Sequence, residues 1–376
     1  MKEHRNLKHV FATISRFLVG LVFIFSSFAK GVDPLGTAYR IEDYFVAYGT
    51  IWANSLAFGL AVFLCAFEFT IGMAVLFKTK MKITSWLLLA MMLFFTFLTF
   101  FDAIYEPVPD CGCFGDALKL SNWQTFYKNI VLMVFVGMIF AERKNFKNKY
   151  SEVRQALFIV LFFVTFVLFS MYNYRHLPLI DFTKWKTGTK VISEEEIESQ
   201  TFVKYRNINS GEEKEYLSPD YPWKDTVWMR EWQFVDQRVV TSGNQIELDL
   251  YIEDESGNDL TRDILLSEKM FIVTIPDVQS VDSESRDRII RFYNDLHITD
   301  CNMVVLSGSL PEEILEFKQL SDNQIEVYFA DATVLKTMVR SNPGIVLFNE
   351  GVIIKKWHIR DIPEITAVVD ILSRLK

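Results

Sequence analysis

Cysteine is scarce: Cys65, Cys111, Cys113 and Cys301 are the only four in a chain of 376 residues. So few exclude a small scaffold held together by disulfides. A metal-ligand cluster is also missing. The histidines beyond the last long apolar run, His176, His297 and His358, lie far from Cys111 and Cys113 in sequence, and a closed zinc site needs four ligands, so no metal is expected. A net charge of -8 without a concentrated basic face gives no reason to expect nucleic acid as a partner. The chain also carries no nucleotide motif, no hydrolase triad and no recognisable quinone pocket.

Apolar residues, by contrast, are abundant. Half the chain is hydrophobic and 34 residues are Phe, yet 23% is charged, a mixture that implies a membrane part joined to a soluble part. About 20 helical residues cross a bilayer. Five segments meet that need: Val10 to Ala29, Asn54 to Phe77, Ile83 to Phe101, Thr125 to Phe140 and Ala156 to Tyr174. The fourth is the shortest and carries Lys128 and Asn129 near its start. The first resembles a secretion signal in its charged start, but it contains Arg16 and ends at Lys30 rather than at a small-residue cleavage site, so we read it as a span.

Loop charge sets the direction of insertion. The N-terminus (Lys2, Arg5, Lys8), the second connection (Lys78, Lys80, Lys82) and the fourth (Arg143, Lys144, Lys147, Lys149, Arg154) are basic. The first and third connections hold only Arg40 and Lys119 against Asp33, Glu42, Asp43, Glu106, Asp110 and Asp116. The N-terminus is therefore expected in the cytoplasm, with everything after Tyr174 outside it.

Ionisable residues within spans are costly, so each needs a partner or a function. Arg16 and Glu68 fall at similar depths, roughly 10 and 13 Å from the inner ends of their spans, and are expected to form a structural pair. Lys30, Asp33 and Asp102 fall at the outer surface, level with the third connection. Lys30 there either favours a nearby thiolate or snorkels to the interface. Asp102 can simply end a helix.

Cys111 and Cys113 flank a glycine in the run Cys111-Gly112-Cys113-Phe114-Gly115-Asp116. A disulfide across that short ring departs from relaxed geometry and is easily reduced, which suits exchange with a partner thiol. A permanent staple, an inert pair and half of a metal site are the alternatives. Cys65, near mid-membrane, reads as a small packing residue.

Arg16, Gly20, Lys30 and Asp33-Pro34 on the first span, Glu68 and Gly72 on the second, and the Asp110 to Gly115 loop together resemble the DoxX superfamily, in its branch similar to the methylamine-utilisation protein MauE. The likeness runs over roughly residues 8 to 145. It implies a four-helix membrane bundle tied to thiol or quinone redox chemistry, with Cys111, Cys113 and Lys30 as the catalytic group. It also implies a place in the inner membrane, membrane lipid around the spans, and a periplasmic thiol protein or a quinone as partner, quinone being the one candidate cofactor. The fifth span and the large extension depart from the minimal family pattern and most resemble DoxX-like proteins of Bacteroides-type bacteria.

After the fifth span, Trp232 to Val240 and Ile246 to Ile252 read as strands, with Glu194 to Glu198 in a linker or first helix. From Met270 onward, strands alternate with helices and close in a hairpin around Asn349-Glu350-Gly351, which resembles a thioredoxin-like fold. Pro343 stands where that fold places a cis-proline. The stretch that would carry Cys-x-x-Cys reads Pro276-Asp277-Val278-Gln279, so this domain has lost the chemistry, and Cys301 is expected to be a buried thiol.

The expected fold is thus an α-helical membrane bundle, four DoxX-like transmembrane helices plus a fifth, followed by an α/β thioredoxin-like soluble domain. Its expected divisions are the four-helix domain at 1–150, the fifth helix at 151–175, a linker and β-rich segment at 176–265, and the periplasmic domain at 266–376. Electron transfer at the periplasmic face is the leading expectation; a non-catalytic scaffold that recruits periplasmic partners is the alternative.

The topology is open to direct test. An alkaline phosphatase fused after Asp116 should be active and one fused after Lys147 inactive; activity in the reverse pattern would invert the whole arrangement.

Overall fold

The computed structural model describes residues 2–108, 110–192, 199–241, 250–320 and 324–375. The acidic stretch Glu194 to Glu198 and most of the expected strand from Ile246 to Ile252 lie outside them.

The N-terminal part is a bundle of α1 (Lys2–Val32), α2 (Pro34–Ala47), α3 (Ala57–Leu76), α4 (Met81–Tyr105), α5 (Asn122–Ala141) and α6 (Glu152–Arg175). Five helical stretches are long and apolar enough to cross a membrane: Leu7–Val32, Ile51–Leu76, Met81–Tyr105, Asn122–Ala141 and Glu152–Arg175. Each coincides with an expected span. The short helix α2 was not anticipated, although its start is legible. Asp33 accepts a hydrogen bond from the Gly36 amide at 2.8 Å and Pro34 opens the first turn, the usual polar cap followed by a residue with no amide to satisfy.

Helices α1 and α3 cross at paired glycines. A methyl group on Gly20 would lie 2.6 Å from Leu76, and one on Gly72 would lie 3.0 Å from Phe23 and 3.1 Å from the Gly20 carbonyl, so glycine at both positions lets the two backbones approach without shifting their neighbours. That crossing overturns the expected Arg16–Glu68 pair. With Gly20 opposite Gly72 in antiparallel helices, Arg16 lies level with Leu76, about eight residues or roughly 12 Å along the axis from Glu68. Arg16 instead donates from Nη1 to the carbonyls of Val75, at 2.9 Å, and Leu76, capping the end of α3. Glu68 is taken by Lys30. Helical side chains lean toward their own N-terminus, so Lys30 reaches down α1 while Glu68 reaches up α3, and they meet between the helices.

Beyond the bundle come β1 (Ser199–Asn207), β2 (Glu213–Leu217), α7 (Thr226–Glu231) and β3 (Trp232–Thr241), forming an antiparallel sheet in the order β2-β1-β3. Then follow α8 (Thr261–Leu265), β4 (Met270–Ile275), α9 (Ser283–Leu296), β5 (Asn302–Ser307), α10 (Pro311–Leu320), β6 (Glu326–Phe329), α11 (Ala332–Met338), β7 (Gly344–Asn349), β8 (Val352–His358) and α12 (Ile365–Ser373). Their sheet runs β6-β5-β4-β7-β8, with β4, β5 and β6 parallel and the last two strands antiparallel. Strands β4 and β7 are buried on both faces, between one layer led by Phe271, Phe292 and Phe317 and another led by Ile272, Leu265 and Phe348. Such two-sided burial explains their continuous apolar runs. The Asn342–Pro343 peptide is cis. Cys301 is half-buried beside the first residue of β5, whereas Arg340 and Pro343 stand beyond the opposite end of the sheet.

Several contacts join this sheet to the bundle, among them His176 with Asp361 at 2.8 Å and Lys336 over the Tyr39 ring at 4.7 Å, and two more stand out. Residues 188–191 run along β8, Val191 donating to Gly351 at 2.7 Å and Ile353 to Thr189 at 3.0 Å. The second is Arg340, buried between two carboxylates of the bundle: its Nε lies 2.7 Å from Asp33 and its Nη2 3.0 Å from Asp116. Without Arg340, Asp33 loses its cation while Asp116 keeps only Arg40, and breaking a buried charge pair in this way costs up to about 3–5 kcal/mol. Arg340→Gln should therefore loosen the extension from the bundle, read as faster protease cleavage within residues 176–192 in detergent or nanodiscs. Cleavage at the wild-type rate would show that Arg340 is not what holds it.

Candidate functional site

The loop between α4 and α5 is shaped by its own acids. Asp110 accepts from the Gly112 amide at 2.8 Å and pairs with Arg40 of α2, while Arg40 also holds Asp116 at 2.8 Å. Gly112 has φ +61°, and a methyl group there would meet Arg40 at 2.2 Å, so both backbone and space require glycine. Asp116 is shared, one oxygen to Arg40 and the other to Arg340. A continuous chain of charges, Asp110, Arg40, Asp116, Arg340 and Asp33, thus ties the cysteine loop to both α2 and the C-terminal region.

Held in this way, Cys111 and Cys113 bring their sulfurs to 2.8 Å as free thiols. The hydrogen bond from Cys111 pulls Cys113 down to about 6, helped by the ammonium groups of Lys128 and Lys30 against the opposing effect of burial. That same contact, together with burial, pushes Cys111 up. The two sulfurs are therefore unequal, with negative charge settling on Cys113.

Beneath the loop lies the Lys30–Glu68 ion pair, both side chains buried. Ser26 connects it to the loop: its Oγ is 2.7 Å from Glu68 Oε1 and 2.7 Å from the Cys113 carbonyl oxygen, and its single proton serves one of them at a time. Lys128 stands 4.5 Å above the Phe114 ring, and Phe114 packs on Phe25 with ring centres 5.6 Å apart.

Ser26, Lys30, Arg40, Glu68, Phe114, Lys128 and both cysteines open on one cavity of about 480 Å³ between α1, α2, α3, α4 and α5. Its wall is largely apolar, with Phe23, Tyr44, Phe45, Leu64, Met92, Phe94, Phe95 and Leu98, while Ser26, Lys30, Glu68, Cys111, Cys113 and Lys128 supply polar groups. Tyr44 donates to Asp102 at 2.7 Å, and Asp102, fully buried, accepts nothing on its other oxygen among the described residues. A volume within about 300–1,000 Å³ lined by apolar walls and a few convergent polar groups is the usual form of a small-molecule site.

The structure thus brings Cys111, Cys113 and Lys30 to one cavity and places Glu68 there, while Arg16 sits at the other end of the bundle. Cys65 packs against Ala66 and Phe166, away from the pair. Sequence reasoning missed Ser26, Arg40, Tyr44, Lys128 and Arg340. Of these, Lys128 gave a signal, since a lysine within a span needs a reason to be there. Among the described residues no group of histidines, cysteines and acids is arranged to hold a metal.

Comparison with known proteins agrees with the bundle. Residues 8–142 match the family model described as methylamine utilisation protein MauE, a stretch that begins in α1 and ends just past α5. No curated protein and no solved structure gives a significant match. Five membrane-length helices, four of them within the matched stretch, therefore make this a multi-pass membrane protein whose residues 8–142 are similar to the DoxX-like MauE family.

Proposed function

We propose that this protein passes electron pairs between a partner thiol and a membrane quinone through Cys111 and Cys113, at the periplasmic face of the inner membrane. The observation that carries the reading is the opening of both sulfurs onto an apolar cavity inside the bundle, beside a buried lysine. The residues suit a quinone: aromatic walls match its ring, and Lys30 and Lys128 offer donors to carbonyl oxygens. When bound, the quinone accepts two electrons and two protons and leaves as quinol.

The chain's own part follows from its charges. Cys113 carries the thiolate, and as the sulfur–sulfur bond to Cys111 forms, two electrons leave the pair and the Cys111 proton is released beside Lys128 and the Ser26–Glu68 contact. A partner thiolate then attacks the new disulfide, forms a mixed disulfide, and departs oxidised after its second thiol closes, restoring both cysteines. The net exchange is partner dithiol plus quinone to partner disulfide plus quinol. The C-terminal region acts here as a thioredoxin-like module without redox chemistry, which positions the loop through Arg340 and recruits the partner.

Two measurements bear on this. Alkylation of the reduced protein at Cys113 should rise with pH, reach half its maximum near 6 and level off above that, because the thiolate predominates above its pKa. Cys111→Ala removes the hydrogen-bond donor and should move that rise toward the ordinary thiol range of about 8.5; an unmoved profile would deny Cys111 its role. In detergent, dithiol-driven reduction of a short-chain quinone should be lost in both Cys111→Ser and Cys113→Ser, since neither can form the internal disulfide. Undiminished rates in both variants would leave a recruiting scaffold whose cysteines form a structural clip.

A further inference from the structure

The end of the bundle opposite the cysteine loop carries a second concavity, of about 420 Å³, which the redox reading does not use. Its polar lining is wholly cationic. Lys82 comes from the first turn of α4, and Arg143 and Lys144 follow the last turn of α5. Among the described residues none of the three has a carboxylate within 4.0 Å. The nearby acids are engaged elsewhere: Glu152 lies 3.0 Å from Lys80, and Glu142 holds Asn145 and faces His9 at 3.9 Å. Three positive charges in one hollow repel one another unless an anion joins them.

The floor of this hollow is built rather than incidental. Trp86 and Phe140 meet edge to face with ring centres 4.6 Å apart. Arg143 stacks 3.9 Å from the Phe140 ring and donates to the Phe140 carbonyl at 2.5 Å, so its guanidinium is held in place instead of trailing into water. From the charged end, Ile83, Trp86 and Leu87 lead away along α4 and are 60%, 58% and 41% exposed, on the surface that a bilayer would cover. Cations at the rim with an apolar track beneath them match a molecule with an anionic head and hydrocarbon tails.

We propose that Lys82, Arg143 and Lys144 form a binding site for an anionic phospholipid, its phosphate among the three cations and an acyl chain along Ile83, Trp86 and Leu87. Charge complementarity sets the preference: a headgroup with two phosphates should bind better than one with a single phosphate, and a zwitterionic one least. The site is independent of the cysteine chemistry and stands if the quinone reading fails.

Native mass spectrometry of the whole protein, titrated with cardiolipin, phosphatidylglycerol or phosphatidylcholine, gives the test. Retention should fall in that order. The double variant Lys82→Gln, Lys144→Gln spares the Arg143, Trp86 and Phe140 packing and should weaken cardiolipin binding by roughly thirtyfold, at about one kcal/mol for each charge removed. Arg143→Lys keeps the charge but loses the stacked geometry, and an intermediate loss is expected. Equal retention of all three lipids, an unchanged double variant, or displacement of the lipid by millimolar inorganic phosphate would each overturn the proposal.

Discussion

A carboxylate buried within a helical bundle has to be answered, and the answer here shapes the surroundings of the thiols. Glu68 pairs with Lys30, which binds α3 to α1, and meets Ser26, which lies equally close to the Cys113 carbonyl. Burying such a pair gains little stability over a well-packed apolar one, because desolvation offsets most of the attraction. What it supplies is position. Lys30 is held where its charge bears on Cys113, and the loop is seated over the helix crossing that the paired glycines allow.

A second layer of charge works from above. Arg40 and Arg340 share Asp116 between them, and each takes a further acid, Asp110 for the first and Asp33 for the second. Arg340 belongs to the segment between α11 and β7, more than two hundred residues away in sequence, so the thiol loop is completed by the C-terminal region. Guanidinium groups suit this task because their planar forks bind two carboxylates at once. Any motion that separates the C-terminal region from the bundle must expose Asp33 and Asp116, which couples docking of that region to the conformation of the loop.

The asymmetry of the two sulfurs arises from these surroundings. Cys111 and Cys113 differ by two positions in sequence, yet one donates to the other, and the cations around them favour the acceptor. Only the packed loop makes them unequal. The largely apolar cavity below, bounded by five helices, gives that polarised pair a surrounding of low polarity, where charges act more strongly than in water.

By itself the sequence determined the spans, the cysteine loop and the strands from Met270 onward, because each rests on local length, hydrophobic period or turn residues that need no distant partner. It also marked Lys30, Arg16 and Glu68 as residues in need of an explanation. Tertiary structure alone decided the pairing: the Gly20–Gly72 crossing fixed the helix register, moved Arg16 to a helix end and gave Glu68 to Lys30, a choice that depth counted along separate helices cannot make. The cavity, the helix α2 that walls it and the reach of Arg340 to Asp33 and Asp116 likewise depend on contacts between residues far apart in the chain, which no local pattern encodes.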